Sequence, residues 1–117
     1  MKVLIIEDEH LAAEHLETLV HRYDSSIEIV AQLDSVREAI TFFNTEDAPD
    51  LAFFDIQLAD GLSFEIFEKS EVNCPVIFTT AYDEYALRAF KVNSIDYLLK
   101  PIDFEDLSKA FDQFFKL

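Results

Sequence analysis

The chain changes its hydrophobic period five times, and that alternation constrains the fold more than any other feature. Val3–Ile6, Ile27–Leu33, Leu51–Phe54, Pro75–Thr79 and Ile95–Leu99 are short apolar runs rich in β-branched and aromatic residues. Runs of that length and type read as strands, and continuous apolar ones as strands buried on both faces. Between them the period lengthens to that of a helix. Ala12, Leu16, Leu19, Val20 and Tyr23 form one stripe; Val36, Ala39, Ile40 and Phe43 a second; Leu62, Ile66 and Phe67 a shorter third. Tyr85, Ala86 and Ala89 mark a fourth helix, and Phe104, Leu107, Phe111, Phe114 and Phe115 a fifth. Ser35 and Glu38 have capping-box spacing, and Asp103 stands where the last helix needs a cap. Strand–helix alternation at this spacing predicts an α/β fold: a doubly wound, five-stranded parallel sheet with five helices on its two faces. The flavodoxin-like strand order 2-1-3-4-5 is the expected one, with a ligand crevice between the C-terminal ends of strands one and three.

Composition excludes several functions. With 24 Asp+Glu against 9 Lys+Arg and a net charge of −15, the chain offers no basic face for nucleic acid or an anionic membrane. One cysteine, Cys74, permits no internal disulfide and reads as a small hydrophobe in a reduced, cytoplasmic protein. No apolar run approaches the ~18 residues of a membrane span. The 117 residues read as one domain.

The strand ends carry the chemistry. Strand one runs into Glu7 and Asp8, strand three into Asp55, strand four into Thr79-Thr80-Ala81 and strand five into Lys100. The expected topology gathers these groups in one crevice. Two carboxylates ~4 Å apart repel by about 4 kcal/mol at an effective dielectric near 20, so a counter-charge is required. Mg²⁺ fits, because it takes oxygen ligands, keeps waters and bridges carboxylate to phosphate. An Asp beside Mg²⁺ and Lys is the arrangement for a carboxylate nucleophile attacking phosphorus, with a hydroxyl such as Thr80 donating to the phosphoryl group. Taken singly, Glu7, Asp8, Lys100 and Tyr97 read as ordinary surface or packing residues. His10, His15 and His21 read as helix surface.

Ile5-Ile6-Glu7-Asp8-Glu9, Phe54-Asp55-Ile56, Thr80-Ala81 and Lys100-Pro101 resemble, in this order, the receiver domain of two-component response regulators. Asp55-Ile56-Gln57-Leu58, the segment Phe78 to Ala86 and Ile95 to Pro101 resemble the LytTR (LytR/AlgR) class. The resemblance implies a phosphoacceptor, Asp55, charged by a sensor histidine kinase. It implies Mg²⁺ held by Asp8 and Asp55 directly, by Glu7 through water and by the backbone carbonyl of Gln57. Thr80 and Lys100 would bind the phosphoryl group, Tyr97 would be the aromatic switch and Lys100-Pro101 a cis peptide. The implied domain is a receiver over 1–117, whose transcriptional output would come from a LytTR DNA-binding domain beyond this chain. The implied module is not an enzyme beyond slow self-dephosphorylation, and would dimerise through helix four, strand five and helix five. Arg88 and Lys91 would face acids such as Asp96, Asp106 or Asp112 there. Gln57 and Tyr82 would flank the hydrolytic water path.

Three other readings compete. An aspartyl-phosphate phosphatase of haloacid dehalogenase type needs a second Asp where Gln57 stands. A flavodoxin needs a phosphate loop where Glu7-Asp8-Glu9 would repel one. A scaffold-only receiver would lack a site residue, and none is missing.

Overall fold

The structure is a computed structural model and describes residues 1–81 and 94–116. The expected strands form: β1 (Lys2–Ile6), β2 (Glu28–Leu33), β3 (Leu51–Asp55), β6 (Val76–Thr80) and β7 (Ser94–Leu99). They pair as one parallel sheet in the order β2-β1-β3-β6-β7, the order expected from the alternation. The helices among the described residues are α1 (His10–Tyr23), α2 (Val36–Thr45), α3 (Phe64–Lys69) and α4 (Phe104–Phe115). The helix expected around Tyr85–Ala89 lies outside the described residues, as do Tyr82, Arg88 and Lys91.

Alternate residues of each strand point to opposite faces, and two cores result. Val3, Ile5, Leu51, Phe53 and Ile77 pack against Ala13, Leu16 and Val20 of α1 and Leu107, Ala110 and Phe111 of α4. Leu4, Ile6, Ala52, Phe54, Val76 and Phe78 pack on the other face against Val36 and Ala39 of α2 and Phe64 and Ile66 of α3. The central strand β3 is buried along its whole length, so its apolar run needs no alternation. On the first face Phe111 stacks on Tyr23, with ring centroids 4.6 Å apart, and meets Phe53 edge-on at 5.9 Å. Phe114 is half-buried and Phe115 exposed, so the crowded apolar stripe of α4 outruns the core beneath it.

One region departs from expectation. Leu62 does not begin the third helix. Gln57–Leu58 (β4) and Gly61–Leu62 (β5) pair as a small antiparallel hairpin, and α3 starts only at Phe64. Gly61 supplies the turn's positive φ of 148°, a conformation L side chains rarely adopt. A run as short as Leu62–Phe67 supports a helical or an extended reading equally, and the turn residues decide it.

Candidate functional site

The right-handed crossovers carry the chain from each strand's C-terminal end into a helix, so the strand ends open on one side of the sheet. Glu7 and Asp8 follow β1, Asp55 ends β3, Thr80 ends β6 and Lys100 follows β7. All five line one crevice of about 650 Å³, together with Gln57 and the α1 residues Leu11, Ala12 and His15. The residues named from sequence at the strand ends are thus brought together. Tyr97 stands apart: it sits within β7 opposite Phe78, half-buried against the second core.

Carboxylate oxygens of Glu7, Asp8 and Asp55 lie within 4.8 Å of one another. Glu7 and Asp55 are buried and Asp8 is exposed at the crevice mouth. Glu7 is therefore not the solvated strand-end acid it resembles in isolation. The Glu9 amide donates to its Oε2 at 3.1 Å, and Lys100 Nζ lies 2.5 Å from its Oε1. Lys100 also donates to Asp55 Oδ2, at 3.2 Å. The Lys100–Asp55 contact expected from sequence forms, but the shorter of the two is to Glu7. The extra methylene of Glu over Asp extends that carboxylate toward the ammonium.

The charges tune one another. Burial, with the hydrogen bond and negative charge of Glu7, pushes Asp55 up to about 7. Burial also raises Asp8, with the hydrogen bond and charge of Glu7 adding to it. For Glu7, burial acts upward but is outweighed by hydrogen bonds from Lys100, Asp55 and the Glu9 amide, so its acid is held below the ordinary range. Burial would lower Lys100, yet its two carboxylate partners raise it and keep it charged. A divalent cation placed between them would offset the burial and the Glu7 charge that raise Asp55.

The donor set fits such a cation. Three carboxylates converge, all are hard oxygen ligands, and one ammonium cannot neutralise them. Thr80 is fully buried at the end of β6, and the Lys100 amide donates to its carbonyl at 2.8 Å. Thr79, in register with Asp55, is buried within the sheet. The Lys100-Pro101 peptide is cis.

A family model for the response regulator receiver domain matches residues 3–112. The chain belongs to that family. It is a receiver domain, a signalling module, and the crevice holds an acidic cluster of the kind at which receivers bind Mg²⁺. The receiver is 40% identical over 119 residues to "Sensory transduction protein LytT" of Bacillus cereus, covering 99% of this chain and 48% of that protein. It is 41% identical over 112 residues to "Transcriptional regulatory protein BtsR" of Salmonella typhi, covering 94% and 46%. The chain spans about half the length of the curated relatives it matches. Its fold superposes on the response regulatory domain of protein mrkE from Klebsiella pneumoniae with a TM-score of 0.84. That pair is 29% identical, and the match covers 99% of this chain and 96% of the other. The match supports the receiver reading and lends nothing to the phosphatase one.

Two features escaped the sequence reading. Asp60 stands just before the chain's one glycine, and its carboxylate accepts amides from the start of α2. His15 and His21 lie on α1 as expected, but their Nε2 atoms sit 2.8 Å and 2.9 Å from the carbonyl oxygens of Ile102 and Ile27, tying the helix to neighbouring loops. No local signal marks any of these contacts. Among the described residues no helix is long and apolar enough to cross a membrane.

Proposed function

We propose that this receiver accepts a phosphoryl group on Asp55 from the phosphohistidine of a sensor kinase and switches an output domain that regulates transcription. The observation that carries the reading is the placement of Asp55. It is a buried carboxylate ending the central strand, with an ammonium at 3.2 Å and two further carboxylates within 4.8 Å.

In the transfer an Asp55 oxygen attacks phosphorus, the P–N bond to the donor imidazole breaks, and the imidazole leaves with the bond's electron pair. Asp8 and Asp55 would hold Mg²⁺ directly, Glu7 through water and Gln57 by its carbonyl; when bound, the metal neutralises phosphoryl charge. Lys100 is already within reach of Asp55 and follows the charge onto the phosphoryl group. The Thr80 hydroxyl donates to a second phosphoryl oxygen. Its movement toward the site opens space beside Phe78, and Tyr97, in register with Phe78, turns inward. The β7–α4 face then becomes the surface for a second copy, with the output domain, a LytTR-type DNA-binding module, responding to the pairing. Asp112 is less available to that surface than the sequence suggests, since the Tyr23 hydroxyl donates to it at 3.2 Å from α1.

Acetyl phosphate with Mg²⁺ tests the reading. Labelling of the parent chain and its loss in Asp55→Asn are expected. Undiminished labelling of Asp55→Asn would overturn the assignment.

A further inference from the structure

Asp60 stands in the two-residue turn between β4 and β5, five residues past Asp55 in the chain. Its Oδ1 accepts the amide of Val36 at 2.8 Å and its Oδ2 the amide of Arg37 at 3.1 Å. These are the first two residues of α2, where helical amides have no partner within the helix. The helix already has its own cap, because Ser35 Oγ accepts the Glu38 amide at 3.0 Å. Asp60 therefore adds something beyond local capping: a two-point tether from the far end of the hairpin to a separate element.

The near end of that hairpin is Gln57, exposed at the edge of the crevice. Between the two ends the hairpin is only four paired residues. Ile56 is fixed on one side by its amide bond to the Thr79 carbonyl at 2.9 Å, and by its own carbonyl accepting the Ser63 amide at 2.8 Å. Leu58 seats the hairpin in the second core and Leu62 packs against it, and the Asp60 tether adds a fixed point at the turn end.

We infer that Asp60 is a positioning residue for the metal site: by pinning the hairpin to the α2 N-terminus it holds the Gln57 carbonyl at the mouth of the crevice. The inference rests on the reading of Asp8, Asp55 and Gln57 as Mg²⁺ ligands. It makes α2 part of the site's support, although none of the residues lining the crevice belongs to α2.

The test compares two cap deletions on the same helix by Mg²⁺ calorimetry on the whole chain. Asp60→Ala removes the tether; Ser35→Ala removes the helix's own cap and leaves the hairpin alone. Both lower Tm. Mg²⁺ affinity is expected to fall about 10-fold in Asp60→Ala, as for the loss of other outer partners of metal ligands, and to stay within about 2-fold in Ser35→Ala. Asp60→Asn, which keeps the side-chain volume and one acceptor, is expected between them and serves as the second variant if Asp60→Ala does not fold. Equal affinities in Asp60→Ala, Asp60→Asn and Ser35→Ala would overturn the inference alone. No Mg²⁺ binding by the parent chain would overturn the metal reading first.

Discussion

The ammonium of Lys100 lies 2.5 Å from the Glu7 carboxylate, with the phosphoacceptor candidate Asp55 at 3.2 Å as the longer contact. The resting site is thus an ion pair between the ends of β1 and β7 drawn across the crevice, beside a carboxyl group that retains affinity for a proton. Lys100 is the internal cation that a metal or a phosphoryl group has to compete with or recruit.

Lys100→Ala separates those roles. It leaves two buried carboxylates facing each other without a counter-charge. The metal-free chain should lose about 2–3 kcal/mol at pH 8, below the ~3–5 kcal/mol of a fully buried pair, because the lysine side chain is 21% exposed. Mg²⁺ should restore most of that loss and bind more tightly than to the parent, while labelling by acetyl phosphate slows. Denaturant titration with and without Mg²⁺ checks the first claim, calorimetry the second.

The raised Asp55 gives a pH dependence with a definite sign. In the native chain this carboxyl holds its proton up to about 7, whereas in the unfolded chain it releases it near ~3.9. Between those values the native state binds more protons, so this group's contribution to stability falls as pH rises through the window. The Tm of the metal-free parent should therefore decline relative to Asp55→Asn from pH 4 to 7. The Tm increment caused by Mg²⁺ should grow over the same range, because the metal replaces the proton. A parent-minus-mutant difference that is flat with pH would contradict the shift.

Leu11 is 78% exposed on the first turn of α1 and lines the crevice beside Asp55. A small donor needs no docking surface, but a protein donor needs an apolar contact close to the transfer site. Leu11→Ala should slow phosphotransfer from a sensor kinase about 5-fold or more, roughly 1 kcal/mol of docking energy. Its rate with acetyl phosphate should not change, and its stability should stay within about 0.5 kcal/mol of the parent. Equal slowing with both donors would place Leu11 in the site's own packing.

Phe111 is the keystone of the α1–α4 face, fully buried between Tyr23 and Phe53. Phe111→Ala should cost about 3–5 kcal/mol. A domain with a net stability of ~5–15 kcal/mol would keep little in reserve. Thermal unfolding should show a Tm drop far larger than for Phe115→Ala, whose ring is 57% exposed.

What the sequence determined by itself is the scaffold and which residues gather at its strand ends. The switch between strand and helix period reports backbone geometry, which is local, so all five strands and the faces of α1, α2 and α4 are legible from neighbours in the chain. Sheet order follows because crossover handedness leaves few arrangements, and once the order is known Glu7, Asp8, Asp55, Thr80 and Lys100 must share an edge. Tertiary structure decided what happens between residues far apart. Lys100 chose Glu7 over Asp55 by fractions of an ångström across 93 positions of chain, a difference no pattern encodes. Asp60 found the amides of Val36 and Arg37, 24 and 23 residues earlier, because the hairpin folds back over α2. Leu62 became a strand residue because a two-residue turn at Ala59-Asp60 closed before the helix could start. In each case the deciding quantity is a through-space distance, fixed only when both cores have packed.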